Sequence, residues 1–420
     1  MSINKLTQSG VDIVGLFPKD WEIKRLKYLC KIQTGGQDTQ DAVDDGEFPF
    51  YVRSPYVERI DKFDFDGEAV LMAGDGVGAG KVFHYTNGKF GCHQRVYIIN
   101  SYRGVSGKFL YYYMKNLFSI EIEKGSAKST VDSVRLPMLQ NFPICLPKIR
   151  EQKHISSFLD SRIGLIDNII NDLENQIEIL EKYKNSVITE AVTKGLNSNV
   201  QMKFIDFLWG VNAPVHWDIK KIKNVCLIER GSSPRPIDSY LSDDVRDMNW
   251  IKISDTIKGS KYITNAEQQI IKTGISKSRK VFKGDLLLTN SMSFGQPYIL
   301  KIDGCIHDGW VVFSNYKGID KEFLYYVLMS DACLTQFKVS VSGAVVSNLN
   351  IDKIKETKIL VPKINEQIEI VRFLDKKCYK IDSIIEDKKS QVETIKKYKN
   401  SLIYEYVTGK KRVSQGDVNE

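Results

Sequence analysis

The chain has 420 residues, of which 42% are hydrophobic and 27% charged; this profile fits a globular protein of two or three domains and excludes a disordered, collagenous or low-complexity chain. Its formal charge of +8 permits a polyanionic partner without demanding one, because nucleic-acid binding depends on where the cations sit. No apolar run reaches the ~18 residues of a membrane span, and seven scattered cysteines without a Cys-x-x-Cys argue against a disulfide framework or a cysteine zinc site and suit a reducing cytoplasm.

In chain order, residues 1–17 form an N-terminal segment without the basic-then-apolar layout of a secretory leader. Residues 18–146 read as a mixed α/β block. β-Rich stretches at 69–72 and 95–99 alternate with loops rich in Gly, Ser and Asn, and one helix is predicted at 108–118. Residues 147–196 then carry apolar side chains at Leu159, Ile163, Ile166, Ile170, Leu173, Ile177 and Leu180. Steps of four and three define a heptad seam, interrupted by Lys184. No proline lies in 151–194, Pro147 precedes the pattern and Gly195 follows it, which predicts one helix of about 44 residues, a rod of roughly 65 Å.

A second mixed block occupies 197–360, with strands predicted at 286–289 and 310–313 and one helix at 321–329. Residues 361–412 then give another seam, at Leu374, Ile381, Ile385, Val392, Ile395 and Leu402, interrupted by Lys388 and Lys399. Residues 413–420 are a tail. This second half restates the first. Pro147-Lys148-Ile149-Arg150-Glu151-Gln152 returns as Pro362-Lys363-Ile364-Asn365-Glu366-Gln367, an offset of 215 that holds without a gap through Lys182-Tyr183-Lys184-Asn185-Ser186 and Lys397-Tyr398-Lys399-Asn400-Ser401. Upstream, Pro18-x-x-Trp21 is echoed by Pro214-x-x-Trp217, and Phe109-Leu110-Tyr111-Tyr112 by Phe323-Leu324-Tyr325-Tyr326. The repeat unit is a variable block followed by a near-constant one. Two seams in one chain can bury each other, and their charges agree: 7 basic and 8 acidic residues in 147–196 face 13 and 8 in 361–412. An antiparallel intramolecular coiled coil is the preferred arrangement. Packing of each helix on its own domain, or pairing between chains, is the alternative.

Most candidate chemistry fails on spacing. Ala73-Gly-Asp-Gly-Val-Gly-Ala-Gly-Lys81 is not a Walker loop: Asp75 stands where the first glycine belongs and Val82 replaces the magnesium-binding hydroxyl. It reads either as a glycine turn between strands or as backbone amides and Lys81 approaching a nucleic-acid phosphate. Its counterpart around Asn290, Ser291 and Ser293 has almost none of the glycines, so the two blocks would read different things. His93 and His307 stand at equivalent points, but no His-x-x-x-His pair supports a metal, leaving a hydrogen-bonded strand-end histidine or a polar group aimed at base edges. Arg53, Ser54 and Arg95 in the first block, and Arg230, Ser232, Ser233 and Arg235 in the second, combine cations with small donors that suit phosphates and guanine edges. A solvated loop is the plain alternative for each. Neither a Gly-x-Ser-x-Gly nor an adenine-methyltransferase Asn/Asp-Pro-Pro-aromatic motif is present.

Two blocks that open with Pro-x-x-Trp, each closed by a Pro-Lys-Ile-x-Glu-Gln lead-in to a long helix, resemble the specificity subunit of Type I restriction–modification enzymes from about Pro18 to Lys410. The resemblance implies an α+β fold: two similar mixed α/β target recognition domains, separated by two long antiparallel helices forming an intramolecular coiled coil, as a pseudo-twofold tandem repeat. It implies that each domain reads one half of a split, asymmetric site on double-stranded DNA. The helices would set the spacing and dock two modification subunits. No active site, cofactor or metal is expected in this chain. S-adenosylmethionine, ATP and Mg would lie on the modification subunits and on restriction subunits, in the cytoplasm, with no membrane partner. A stand-alone nuclease or methyltransferase, or a coiled-coil scaffolding adaptor, are the competing readings.

Overall fold

The computed structural model describes residues 6–125, 133–206, 210–257, 259–290, 295–341 and 349–413. They form two compact units, one of residues 1–174 with 389–420, the other of residues 175–388. Both boundaries fall inside long helices. The first stalk helix, Ile149–Lys194, runs unbroken for 46 residues, and the second, Ile364–Val407, for 44. Each unit therefore holds a head and one half of each helix.

In the first unit a short antiparallel pair, Glu22–Arg25 with Pro143–Leu146, brings the start and end of the head together. Between them lies a six-stranded sheet in the order Lys31–Thr34, Val96–Asn100, Phe65–Ala73, Phe83–Cys92, Phe48–Tyr51, Glu58–Ile60. The helix Gly107–Gly125 carries Phe109, Leu110, Tyr113, Leu117 and Phe118 into a core shared with Val70, Met72 and Ile99 of the sheet.

The second unit repeats this frame. Asp218–Lys221 pairs with Lys358–Val361, and the central sheet runs Leu227–Arg230, Trp310–Ser314, Leu286–Thr289, Pro297–Leu300, Tyr262–Ile263. A second five-stranded sheet is built around the parallel pair Met248–Ile251 with Gly304–Ile306, the counterpart of Phe48–Tyr51 with the end of Phe83–Cys92 in the first head. The repeat also reaches further upstream than its tryptophans. The hairpin Leu6–Gln8 with Leu16–Pro18 matches Met202–Ile205 with Val211–Pro214, in the same antiparallel register. One helix per head is too few: Lys321–Met329 is followed by Asp331–Val341 and Ile351–Glu356, and Gly107–Gly125 by Leu136–Asn141. The alternating Lys338-Val339-Ser340-Val341 masks the second helix, because β-branched alternation mimics a strand.

Within each unit the stalk halves pack antiparallel. Ile163, Ile166, Ile170 and Leu173 share a core with Val392, Ile395 and Leu402 in the first unit. Ile188, Ala191 and Val192 share one with Ile370, Leu374 and Cys378 in the second. Ile177 and Leu180 are half-buried. The three lysines that interrupt the seams are not defects: Lys388 Nζ donates to Gln176 Oε1 at 2.6 Å, and the other two bind aspartates. Lys399 Nζ donates to both oxygens of Asp167 at 2.5 and 2.8 Å, and Lys184 Nζ to both oxygens of Asp382 at 2.6 and 2.8 Å. These are the same pair, 215 residues apart. A polar pair inside an apolar seam penalises every other register, so it specifies the alignment of the helices.

The Glu-Gln of each lead-in locks head to stalk. Gln152, fully buried, donates to the carbonyls of Gly104 and Pro147 and accepts from the Ser106 amide. Gln367 does the same with Gly318, Pro362 and Asp320. Glu366 accepts from the Trp217 indole at 3.0 Å, so in the second unit the two sequence motifs that flank the head touch each other. In the first unit Glu151 lies 3.5 Å from Arg412, which also binds Asp20.

Candidate nucleic-acid interface

Most of the polar residues singled out in the sequence converge at one end of each central sheet. In the first head the turn His93–Gln94–Arg95 links the strands Phe83–Cys92 and Val96–Asn100, and the loop at Gly35 lies against it. In the second, His307–Asp308–Gly309 links Gly304–Ile306 and Trp310–Ser314 beneath the loop at Gly231. The contact is backbone on backbone. A Cβ on Gly35 would meet the Cys92 carbonyl oxygen at 2.0 Å, and one on Gly231 the His307 carbonyl oxygen at 2.0 Å, so both positions require glycine.

The histidines are held rather than offered. His93 Nδ1 accepts from the Arg95 amide at 3.0 Å, and His307 Nδ1 from the Gly309 amide at 2.9 Å. Burial pushes both rings below their ordinary pKa, with the Arg53 cation adding to the effect at His93. Each ring is a neutral brace for its turn.

The cations come in pairs gathered by one carboxylate. Asp75 accepts from Arg53 Nη1 at 3.2 Å and from Arg95 Nη1 at 2.8 Å. The aspartate side chain is 17% exposed, the arginines 46% and 63%. In the second head Arg230 Nη2 and Arg235 Nη2 lie 3.9 and 3.7 Å from Asp308. Arg230 Nε also donates to the Asp308 carbonyl at 2.9 Å, and Ser233 Oγ to its carboxylate at 3.1 Å. Burial works against ionising Asp308, but the Ser233 hydroxyl and the nearby Arg235 hold its carboxyl below the usual range. Asn290 Nδ2 donates to the Asp308 carbonyl at 3.2 Å, and Ser232 Oγ to that of Lys277. Five of the second head's predicted residues (Arg230, Ser233, Arg235, Asn290, His307) thus collect around Asp308. Ser291 and Ser293 lie outside the described residues.

Besides Ser232, two predicted residues sit elsewhere or serve the backbone. Lys81 lines a cleft of about 760 Å³ with Tyr111, Lys115 and Lys399 at the foot of the head. Ser54 caps a turn, its hydroxyl accepting from the Tyr56 amide, while its carbonyl meets His84 Nε2. The glycine run is a turn between the strands Phe65–Ala73 and Phe83–Cys92, and it delivers Asp75 to the arginines. Asp75 and Asp308 were missed. They occupy non-equivalent places, one after the strand Phe65–Ala73 and the other in the histidine turn, so aligning the halves does not expose them. Gly35 and Gly231 were detectable, at the offset of 196 that relates the tryptophans. Among the described residues no group of three or more His, Cys, Asp or Glu side chains could hold a metal, and no helix is long and apolar enough to cross a membrane.

Two like heads, each presenting a carboxylate-held arginine pair and continuous with long helices, make a duplicated head-and-stalk architecture. The family model for the Type I restriction modification DNA specificity domain matches residues 18–179 and again 214–394, and the chain belongs to this family. It is 26% identical to the Type I restriction enzyme EcoDI specificity subunit of Escherichia coli, over 88% of this chain and 84% of that one. It is 25% identical to the MjaVIII specificity subunit of Methanocaldococcus jannaschii, over 94% of both chains. A solved chain described for complex assembly and conformational transition of the type I R-M system shares the fold, with a TM-score of 0.69 at 14% identity, covering 94% of this chain and 99% of that one.

Proposed function

We propose that this specificity subunit is the non-catalytic reader of its complex. Each head recognises one half of a bipartite, asymmetric site on double-stranded DNA. The stalk helices set the distance between the halves and dock two modification subunits. S-adenosylmethionine is then bound by the modification subunits, and ATP and Mg by restriction subunits, in the cytoplasm. The observation that carries this reading is that each head gathers exposed arginines at a loop-rich sheet end while continuous helices join the heads. Exposed guanidinium groups fixed in orientation suit bidentate contact with guanine edges. Two modest interfaces on a stiff connector gain by effective concentration, so neither half-site needs high affinity alone.

Spacing is the direct test. Inserting four residues within 172–181, with four at the facing positions of the second stalk helix, lengthens the stalk by roughly 6 Å. That is just under two base-pair rises, so the non-specified spacer of the methylated site should grow by one or two base pairs with both half-sites unchanged. Methylation mapping of a randomised-spacer library reads this out, and an unaltered spacer would sink the proposal. The purified chain with DNA, Mg, ATP and S-adenosylmethionine should neither cleave nor methylate until modification subunits are added.

A further inference from the structure

The stalk ends of the two units differ in one respect that their sequences do not advertise. In the first unit Phe158 is 7% exposed: Tyr406 of the opposite helix lies over it with ring centroids 4.5 Å apart, and the Arg162 guanidinium stands 5.7 Å from its ring centroid. The equivalents in the second unit, at the offset of 215, are Phe373 and Ala191. With a methyl in place of a phenol, Phe373 is 41% exposed. Leu402 is likewise shortened to Val187. What remains is a cleft of about 670 Å³ with a mainly apolar lining that includes Tyr183, Val187, Ala191, Leu196, Met202 and Phe373. Its rim is cationic: Lys377 lies 5.5 Å from the Tyr183 ring centroid, while Lys194 is neutralised by Glu190 at 3.2 Å.

The first unit shows what such a position accepts, since there the chain's own tyrosine fills it. A clustered apolar patch with an open pocket marks an interaction site rather than ordinary surface. An aromatic anchor in a desolvated pocket is the usual carrier of binding energy at a protein interface. We propose that this cleft receives an aromatic side chain of one modification subunit, flanked there by a carboxylate that meets Lys377. The inference rests on the reading of the chain as a dock for modification subunits, and it adds an asymmetry. The plugged position in the first unit offers no such pocket, so the two modification subunits bind unequally, the tighter one on the second unit.

Titration of the full chain with purified modification subunit, followed by native mass spectrometry, tests this. The wild-type chain should take up two subunits with distinct affinities. Ala191→Tyr, which restores the plug, should weaken the tighter step at least tenfold and leave the other unchanged. Lys377→Glu, on the exposed rim, should weaken the same step about threefold. Retained half-site DNA binding and an unchanged melting temperature establish that each variant is folded. Unchanged uptake by the folded variants would overturn the inference and leave the assembly reading intact. A wild-type chain that instead dimerises through the cleft, with Ala191→Tyr abolishing the dimer, would also overturn it. No uptake by the wild-type chain would overturn both.

Discussion

Asp75 is mostly buried while both arginines it holds are exposed, and this division of labour bears on specificity. Exposed ion pairs contribute little to stability, roughly 0–1 kcal/mol, so holding two guanidinium groups with one carboxylate is better explained as orientation. The carboxylate also removes one net positive charge from the surface, which lowers attraction to phosphates of any sequence. Asp75→Asn should therefore raise affinity for non-specific DNA while reducing discrimination at one half-site. Arg95→Ala should cost that half-site about 1–3 kcal/mol of base preference, and Arg235→Ala the other, as competition binding with half-site mutants would show. A single change that altered both half-sites would refute one reader per half. The histidines give a second residue-scale prediction. An unfolded histidine titrates near 6.5, and burial lowers His307 below that in the folded protein. Below about 6.5 the unfolded chain then binds more protons than the folded one, so stability present above that value is lost as pH falls. The fall in melting temperature between pH 7.5 and 5.5 should be smaller in His307→Gln than in the wild type. An equal fall would mean that the ring is not the titrating group.

Among the elements, the stalks were the most legible part of the chain, because a heptad pattern free of proline over forty residues admits no other regular structure. What periodicity could not reveal was why Lys184 and Lys399 interrupt it. Their partners, Asp382 and Asp167, lie on the opposite helix, and only the antiparallel alignment brings them within 2.6 and 2.5 Å. The heads were legible as mixed α/β units with their main strands, but not the second sheet of the second head, whose short strands lack a clean alternation. The junction between head and stalk yields its own prediction. Gln152 satisfies two carbonyls and one amide where the chain turns into the helix, and Gln367 repeats those bonds. Gln152→Ala leaves the buried Pro147 carbonyl without this partner and removes the part-buried bonds to Gly104 and Ser106, at a cost of about 1–3 kcal/mol. Hydrogen exchange should speed up at Ser106 and through the first turns of Ile149–Lys194, leaving Asp320 and Ile364–Val407 protected near their start. Gln367→Ala should give the converse. Faster exchange in both units from one substitution would show that the heads are not separately locked.

For the molecule as a whole, the duplication dictates where the evidence for function had to come from. Equal stalks and unequal heads were visible by sliding the sequence on itself, but the arginine clusters were not, because the two heads build them from non-equivalent positions. The carboxylate that gathers the arginines sits in the glycine turn of one head and in the histidine turn of the other. Charge behaves the same way at this scale. The chain carries only +8 in 420 residues, and the arginines proposed to read DNA are already partly neutralised by Asp75 and Asp308. Few phosphates are then left for this subunit to bind by itself. Each phosphate contact steepens the dependence of binding on salt by about 0.9 in log–log slope. The isolated chain should show a shallow slope, no steeper than about −4. Adding modification subunits should steepen it by at least about 3, because partners that enclose the duplex bring their own cations. Fluorescence anisotropy between 50 and 300 mM salt measures both slopes. If the isolated chain already gave the full slope, the phosphate-binding surface would reside in this subunit, and the division between a reader and its enclosing partners would have to be redrawn.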